Sequence, residues 1–151
     1  MPDLTLFPAA LWGRLTARQA RRLGPSHLCA GSSAGVPRLR EAIALHLRLS
    51  RGVKVDAAQI VVVSSTQQGL DLCLRLLTDA GDAVWMEDPG YPGARRLMQA
   101  HALRVVDVPV DRAGLQVDHG IALAPQAELV YVTPSRQAPL AWAAQSGGFI
   151  V

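Results

Sequence analysis

Residues 61–72 read Val61-Val62-Val63-Ser64-Ser65-Thr66-Gln67-Gln68-Gly69-Leu70-Asp71-Leu72, an apolar run that breaks into small hydroxyl residues before leucines return at helical spacing. The pattern predicts a buried strand over residues 60–63, a tight turn, and a helix with a broad apolar surface. Such a turn leaves backbone N–H groups and hydroxyls at a helix N-terminus, where proteins bind phosphate. Ser and Thr are also favoured N-cap residues, so a phosphate site and a plain helix cap both stay open.

Length and composition indicate one buried core. The chain has 151 residues, is 50% hydrophobic and has a mean hydropathy of +0.19. It is long enough for one hydrophobic core and too short for two full domains. It has no apolar run of membrane-spanning length, and its first residues lack the regions of a signal peptide, so we expect a cytoplasmic protein without a membrane partner. Cys29 and Cys73 show no ligand spacing, so neither a metal site nor a disulfide is predicted, and Cys73 is expected in the core.

The net charge of +3 comes from an arginine excess, since Lys54 is the only lysine of the chain. Four arginines recur at helical spacing near the N-terminus: Arg14, Arg18, Arg21 and Arg22. They could touch nucleic acid, but a solvated helix face is the commoner explanation for such a pattern.

Short apolar strands alternate with amphipathic helices along the rest of the chain. The periodicity predicts helices over 8–23, 37–51, 92–101, 117–124 and 140–145, and strands over 83–87, 103–110, 128–133 and 147–151. This alternation indicates an α/β fold with a mostly parallel sheet and helices on both faces. Ligands of such sheets bind beyond the carboxyl ends of the strands, where turn 64–67 and loop 88–93 are expected.

Motifs in this order resemble those of a known family. They are Pro-Asp-Leu-Thr-Leu-Phe-Pro at 2–8, Ala-Gly-Val-Pro-Arg-Leu-Arg-Glu-Ala-Ile at 34–43, the stretch 60–72, Glu-Asp-Pro-Gly-Tyr-Pro-Gly-Ala-Arg at 87–95, and Val-Tyr-Val-Thr-Pro-Ser at 130–135. The series resembles the large domain of fold-type I pyridoxal-phosphate enzymes, the class I and II aminotransferases. It is most similar to the aminotransferase-like domain of MocR-type transcriptional regulators in the GntR group.

The resemblance implies a single partial aminotransferase-like domain over 1–151. Its parts would be an N-terminal helix and loop at 1–35, a core at 36–139, and a truncated helix and strand at 140–151. The implied cofactor is pyridoxal 5′-phosphate. The residues implied to hold its phosphate are Ser64, Ser65, Thr66 and Gln67.

Two further residues receive roles from the resemblance. Tyr91 would stack on the pyridine ring, which is physically sensible for a flat aromatic side chain held rigidly between prolines. The alternative is a tyrosine packed under its loop. Gln137 matches a polar loop position near the cofactor.

The chain differs from the family at positions that bind the cofactor or react with it. Family members usually have glycine where Ser65 stands, and the Schiff-base lysine and the aspartate that pairs with the pyridine nitrogen have no match here. Transamination needs an amine, and Lys54, expected in solvent, is the only candidate. We therefore predict no catalytic residue and an inactive chain.

Three interpretations compete. The chain is part of a MocR/GntR-type regulator, part of a free-standing amino-acid aminotransferase, or a truncated α/β dimerisation module without cofactor. The expected partners are pyridoxal phosphate or another small phosphate ligand, a second copy in the full-length protein, and DNA only through a domain outside this chain.

Overall fold

The computed structural model describes residues 3–25, 29, 31–134 and 137, so the predicted elements at 140–145 and 147–151 lie outside it. The chain divides into two compact units, Met1–Val62 and Val63–Val151. The single domain predicted over 1–151 stays a prediction. Among the described residues, none of the helices has the length and apolar character needed to span a bilayer.

The first unit contains helices α1 (Ala9–Ala20) and α2 (Pro37–Arg51). Helix α2 begins and ends as predicted, because Pro37 suits a first helical position and Gly52 takes the left-handed conformation, with φ 65°, that ends a helix. The guanidinium of Arg40 ties α2 to the following turn by donating to the Ala57 carbonyl at 2.9 and 2.7 Å. The four arginines of residues 14–22 are all exposed.

The prediction of a buried strand over 60–63 is wrong. These residues form no strand, and the Val61 side chain is 57% exposed. The Val62 N–H donates to the Ala34 carbonyl at 2.9 Å. A strand needs a neighbouring strand to pair with its backbone groups, and within the described residues 60–63 belong to no sheet.

The second unit is built on a four-stranded sheet. Its strands are β1 (Ala83–Asp88), β2 (Arg104–Asp111), β3 (Gly114–Leu115) and β4 (Leu129–Tyr131), and its helices are α3 (Thr66–Leu77), α4 (Pro92–Ala100) and α5 (Val117–Leu123). The strand order is β3-β2-β1-β4; β1 pairs in parallel with β2 and β4, and β3 is antiparallel to β2. The predicted mostly parallel sheet is confirmed.

Strand β1 is buried on both faces of this sheet. One face packs Val84 and Met86 against helices α3 and α4, through Leu74, Ala94 and Met98. The other face carries Ala83 and Trp85, which pack with Val106, Val108 and Ala124. The Trp85 indole N–H donates to the Ala124 carbonyl at 2.9 Å, which joins the end of α5 to the sheet. Helices therefore cover both faces, as predicted.

Helix α3 buries a narrower stripe than its sequence indicates. Leu74 is its only fully buried residue among those described, whereas Leu72, Leu76 and Leu77 are exposed. Cys73 is exposed as well, so its predicted place in the core is wrong. Successive residues turn by about 100° around a helix, so the stripe that faces the sheet cannot include every apolar position.

Gly120 tests the packing of α5 on Trp85. An added methyl group would lie 2.7 Å from Trp85 Cε3, so we expect Gly120→Ala to lower the free energy of unfolding by about 1–3 kcal/mol. Gly13→Ala in α1 is the matched control, because nothing lies within 4 Å of its added methyl, and it should stabilise by up to about 1 kcal/mol. Urea denaturation measures both. A Gly120→Ala protein as stable as the wild type would contradict this packing.

Candidate functional site

The N-terminus of α3 is closed by a serine and a glutamine. Ser65 is the N-cap residue, with extended backbone at φ −161° and ψ 163°, and its hydroxyl oxygen accepts the Gln68 N–H at 3.2 Å. The Gln68 side chain reaches back, and its Oε1 accepts the N–H and the hydroxyl of Ser64 at 2.6 and 2.9 Å. The turn therefore forms the helix cap that the sequence allowed.

The cap leaves donors for an anion. The N–H groups of Thr66 and Gln67 occupy the first two helical positions, which have no acceptor within a helix. The Ser65 hydroxyl acts as an acceptor in the cap and keeps its own proton to donate. The first turn contains no acidic residue, and Ser65 and Thr66 are exposed. The cap and an anion site are therefore compatible, except that Ser64 must first release Gln68.

Tyr91 lies next to this turn although it is far from it in sequence. It precedes α4, and its hydroxyl lies 3.4 Å from Gln67 Nε2. Gly93 makes the contact possible, because a Cβ at that position would collide with both Gln67 Nε2 and the Tyr91 ring. Tyr91 is 36% exposed, so it is not simply packed away under its loop. The fold brings Gln67 and Tyr91 together, and their roles toward the cofactor stay predictions.

A second polar group lies where β1 and β4 end. Glu87 is only 4% exposed, and its Oε2 accepts the Thr133 hydroxyl at 2.5 Å. Gln137 is also buried, and its Nε2 donates to the Pro89 carbonyl. A small cavity here is lined by Glu87, Val110, Asp111, Gly114, Thr133, Pro134 and Gln137.

The sequence pattern did not predict the Glu87–Thr133 pair. A carboxyl group that ends an apolar strand was the available signal, because a buried polar group must find a partner. Nearby, burial raises the pKa of the Tyr131 hydroxyl, and Tyr91 and the Glu87 carboxyl add to the increase.

A polar link joins the two helices that carry Gln67 and Tyr91. Asp71 of α3 accepts from Arg75 Nε at 2.9 Å and lies 2.7 Å from the His101 Nε2 at the end of α4. The hydrogen bond from Arg75, and after it the one with His101, lowers the pKa of the Asp71 carboxyl.

Residues 63–151 contain no lysine, and Lys54 in the first unit is exposed, as predicted. No His, Cys, Asp or Glu side chains within residues 3–25, 29, 31–134 and 137 cluster in threes so as to hold a metal ion.

Comparisons with known proteins place these observations in a family. The model of the family "Aminotransferase class I and II" matches residues 15–133. The chain is 40% identical over 139 residues to the "Probable rhizopine catabolism regulatory protein MocR" of Rhizobium meliloti, covering 92% of this chain and 28% of that protein. It is 37% identical over 139 residues to the "HTH-type pyridoxine biosynthesis transcriptional regulator PdxR" of Corynebacterium glutamicum, covering 92% of this chain and 29% of that protein.

A solved structure shares the fold. It is LysN, the alpha-aminoadipate aminotransferase of Thermus thermophilus, complexed with N-(5′-phosphopyridoxyl)-L-leucine. The TM-score is 0.81 at 26% identity, covering 95% of this chain and 36% of that one. The chain thus spans less than a third of the two regulators and little more than a third of the enzyme.

The Asp71 link predicts a pH-dependent stability. The pKa of Asp71 is lower in the folded protein than its ordinary 3.8, so the ionised carboxylate stabilises the fold above that value, and the stabilisation is lost as the pH falls through the folded-state pKa. We therefore expect Asp71→Asn to be less stable than the wild type near neutral pH, and the difference to shrink in acid. Urea midpoints measured across this range check it.

The control for this prediction is Glu41→Gln, which removes an exposed carboxylate that lies in no ion pair among the described residues. Its stability should follow that of the wild type at every pH. A deficit of Asp71→Asn that persists unchanged below the ordinary pKa of Asp71 would contradict the link.

Proposed function

We propose that this chain, which belongs to the aminotransferase class I and II family, is the cofactor-binding part of a MocR/GntR-type transcriptional regulator. Pyridoxal 5′-phosphate is the cofactor of the family. The regulatory assignment follows from the similarity to the two regulators. The observation that carries the binding role is the contact of Gln67 with Tyr91, which puts an aromatic ring beside an open helix N-terminus.

The residues present fit both ends of the cofactor. In this proposal the phosphate is held by the N–H groups of Thr66 and Gln67 and by the hydroxyls of Ser65 and Thr66, at the positive end of the α3 dipole. Ser64 joins them once Gln68 releases it. The pyridine ring lies against Tyr91, which orients it at little entropic cost. When bound, the group supplies an electron sink for bonds at the α-carbon of an amino acid.

We further propose that the chain by itself binds the cofactor without catalysing transamination. The site residues can hold a phosphate and a ring, but residues 63–151 offer no lysine to act as an amine. The same gap applies to part of a regulator and to part of a free-standing aminotransferase, so the choice between them rests on the similarity to the two regulators.

The proposed partners follow from the regulatory role. DNA would be bound by a domain outside these residues, and the protein would act in the cytoplasm as a homodimer. Exposed apolar side chains of α1, namely Leu11, Trp12 and Leu15, are available for contact with a second copy.

Ligand-induced stabilisation tests the binding role. Pyridoxamine 5′-phosphate is the probe, because it has no aldehyde that could react with Lys54 or the N-terminus. A ligand of the folded state raises its stability by mass action, by about 2.7 kcal/mol at a concentration of a hundred times Kd. We expect both this probe and inorganic phosphate to raise the unfolding temperature of the purified protein.

Two variants divide the site into its parts. Thr66→Ala removes a hydroxyl and leaves the Ser65 cap intact, so it should weaken both ligands by about five- to tenfold. Tyr91→Leu should weaken pyridoxamine 5′-phosphate alone. The control is Thr78→Ala, which removes a hydroxyl that donates to Leu74 at the other end of α3 and should change neither affinity. If neither ligand stabilises the wild type, the interpretation as a dimerisation module without cofactor replaces this one.

A further inference from the structure

The loop that presents Tyr91 is held by residues that follow β4. We propose that Glu87 and Thr133 are positioning residues for Tyr91, because their hydrogen bond anchors the chain four residues before Gln137, which holds the loop. This inference rests on the proposed function, since it concerns the affinity for the cofactor ring. It assigns a role to a half-buried hydrogen bond that the phosphate turn does not use.

The hydrogen bond between Glu87 and Thr133 anchors the end of β4 to the end of β1. Strands β1 and β4 pair only as far as Met86 and Tyr131. Glu87 lies one residue beyond the last pair on β1, and Thr133 lies two residues beyond it on β4. Their side chains meet at 2.5 Å, with the Thr133 hydroxyl donating to a nearly inaccessible Glu87 carboxyl. The bond thus continues the connection between the two strands past the end of the backbone ladder.

The loop between β1 and α4, which carries Tyr91, is held by Gln137. Gln137 Nε2 donates to the carbonyl of Pro89, two residues before Tyr91. The loop also turns tightly at the end of β1, because a Cβ on Gly90 would collide with the carbonyl oxygen of Glu87, three residues earlier. The hydrogen bond from Gln137 and the tight turn at Gly90 therefore hold the loop in the position from which Tyr91 contacts Gln67.

Loss of the Thr133 hydrogen bond should lower the affinity for the cofactor ring. If the Thr133 bond is lost, the Thr133 side chain no longer ties the end of β4 to β1, and the constraint that Gln137, four residues later, places on Pro89 weakens. Ligand binding then has to order Tyr91, and that ordering costs affinity. The turn at Ser65 and Thr66 has its own cap and does not depend on this anchor. Loss of the bond should therefore weaken ring binding and spare phosphate binding.

The experiment compares two ligands across matched threonine variants. Thr133→Val removes the hydroxyl and keeps the shape of the side chain, and Thr133→Ser restores the hydroxyl. Thr78→Val is the control, because it deletes another hydroxyl bond of the same unit, 2.7 Å from Thr78 Oγ1 to the Leu74 carbonyl. Kd values for pyridoxamine 5′-phosphate and inorganic phosphate are measured by titration calorimetry.

We expect Thr133→Val to bind pyridoxamine 5′-phosphate about tenfold more weakly than the wild type and inorganic phosphate equally well. Thr133→Ser should bind both ligands like the wild type. Thr78→Val should lower the unfolding temperature without changing either Kd. Amide hydrogen exchange at Gly90 and Tyr91 should be faster in Thr133→Val, and unchanged at Thr66 and Gln67.

Two results would overturn the inference while leaving the proposed function in place. One is wild-type affinity of Thr133→Val for pyridoxamine 5′-phosphate. The other is an equal loss for both ligands, which would mean that Thr133 supports the whole fold. If Thr133→Val does not fold, Thr133→Ala removes the same hydroxyl from a smaller side chain and is judged by the same two ratios. A wild-type protein that binds neither ligand would refute the proposed function, and the inference with it.

Discussion

The burial of β1 on both of its faces is the constraint on which the second unit depends. Val84 and Met86 are fully buried on one side, and Ala83 and Trp85 are buried on the other. A strand without a polar face must lie inside the sheet with helices above and below it. This requirement puts α3 and α4 on one face and α5 on the other, with the parallel neighbours β2 and β4 at the sides of β1.

The site is a consequence of this arrangement. Parallel strands end at one edge of the sheet, so the polar residues that follow them gather there. Glu87 and Thr133 meet beyond the last pair of β1 and β4, and the loop after β1 carries Tyr91 to the start of α3. Asp71 and His101 hold α3 and α4 together farther along these helices. The elements that carry the candidate site are therefore held by the hydrophobic core around β1 and by the hydrogen bonds Asp71–His101 and Glu87–Thr133.

Holding a cofactor and doing chemistry with it require different residues. A phosphate needs open N–H groups and hydroxyls, and a ring needs a flat apolar neighbour, and both are present around Thr66 and Tyr91. Covalent chemistry needs an amine, and residues 63–151 have no lysine. Residues 63–151 therefore offer groups that could hold a ligand, and no lysine side chain for covalent chemistry.

The sequence by itself determined the elements whose signals are local. Pro37 and Gly52 bound α2, and Ser65 caps α3, because the required backbone conformations and hydrogen bonds involve neighbouring residues. It determined neither the fate of residues 60–63 nor the exposure of Cys73, since pairing and burial depend on what lies beside them. Only the tertiary structure joined Gln67 to Tyr91 and Glu87 to Thr133, because these contacts link residues that are 24 and 46 positions apart and the packing of the sheet decides whether they meet.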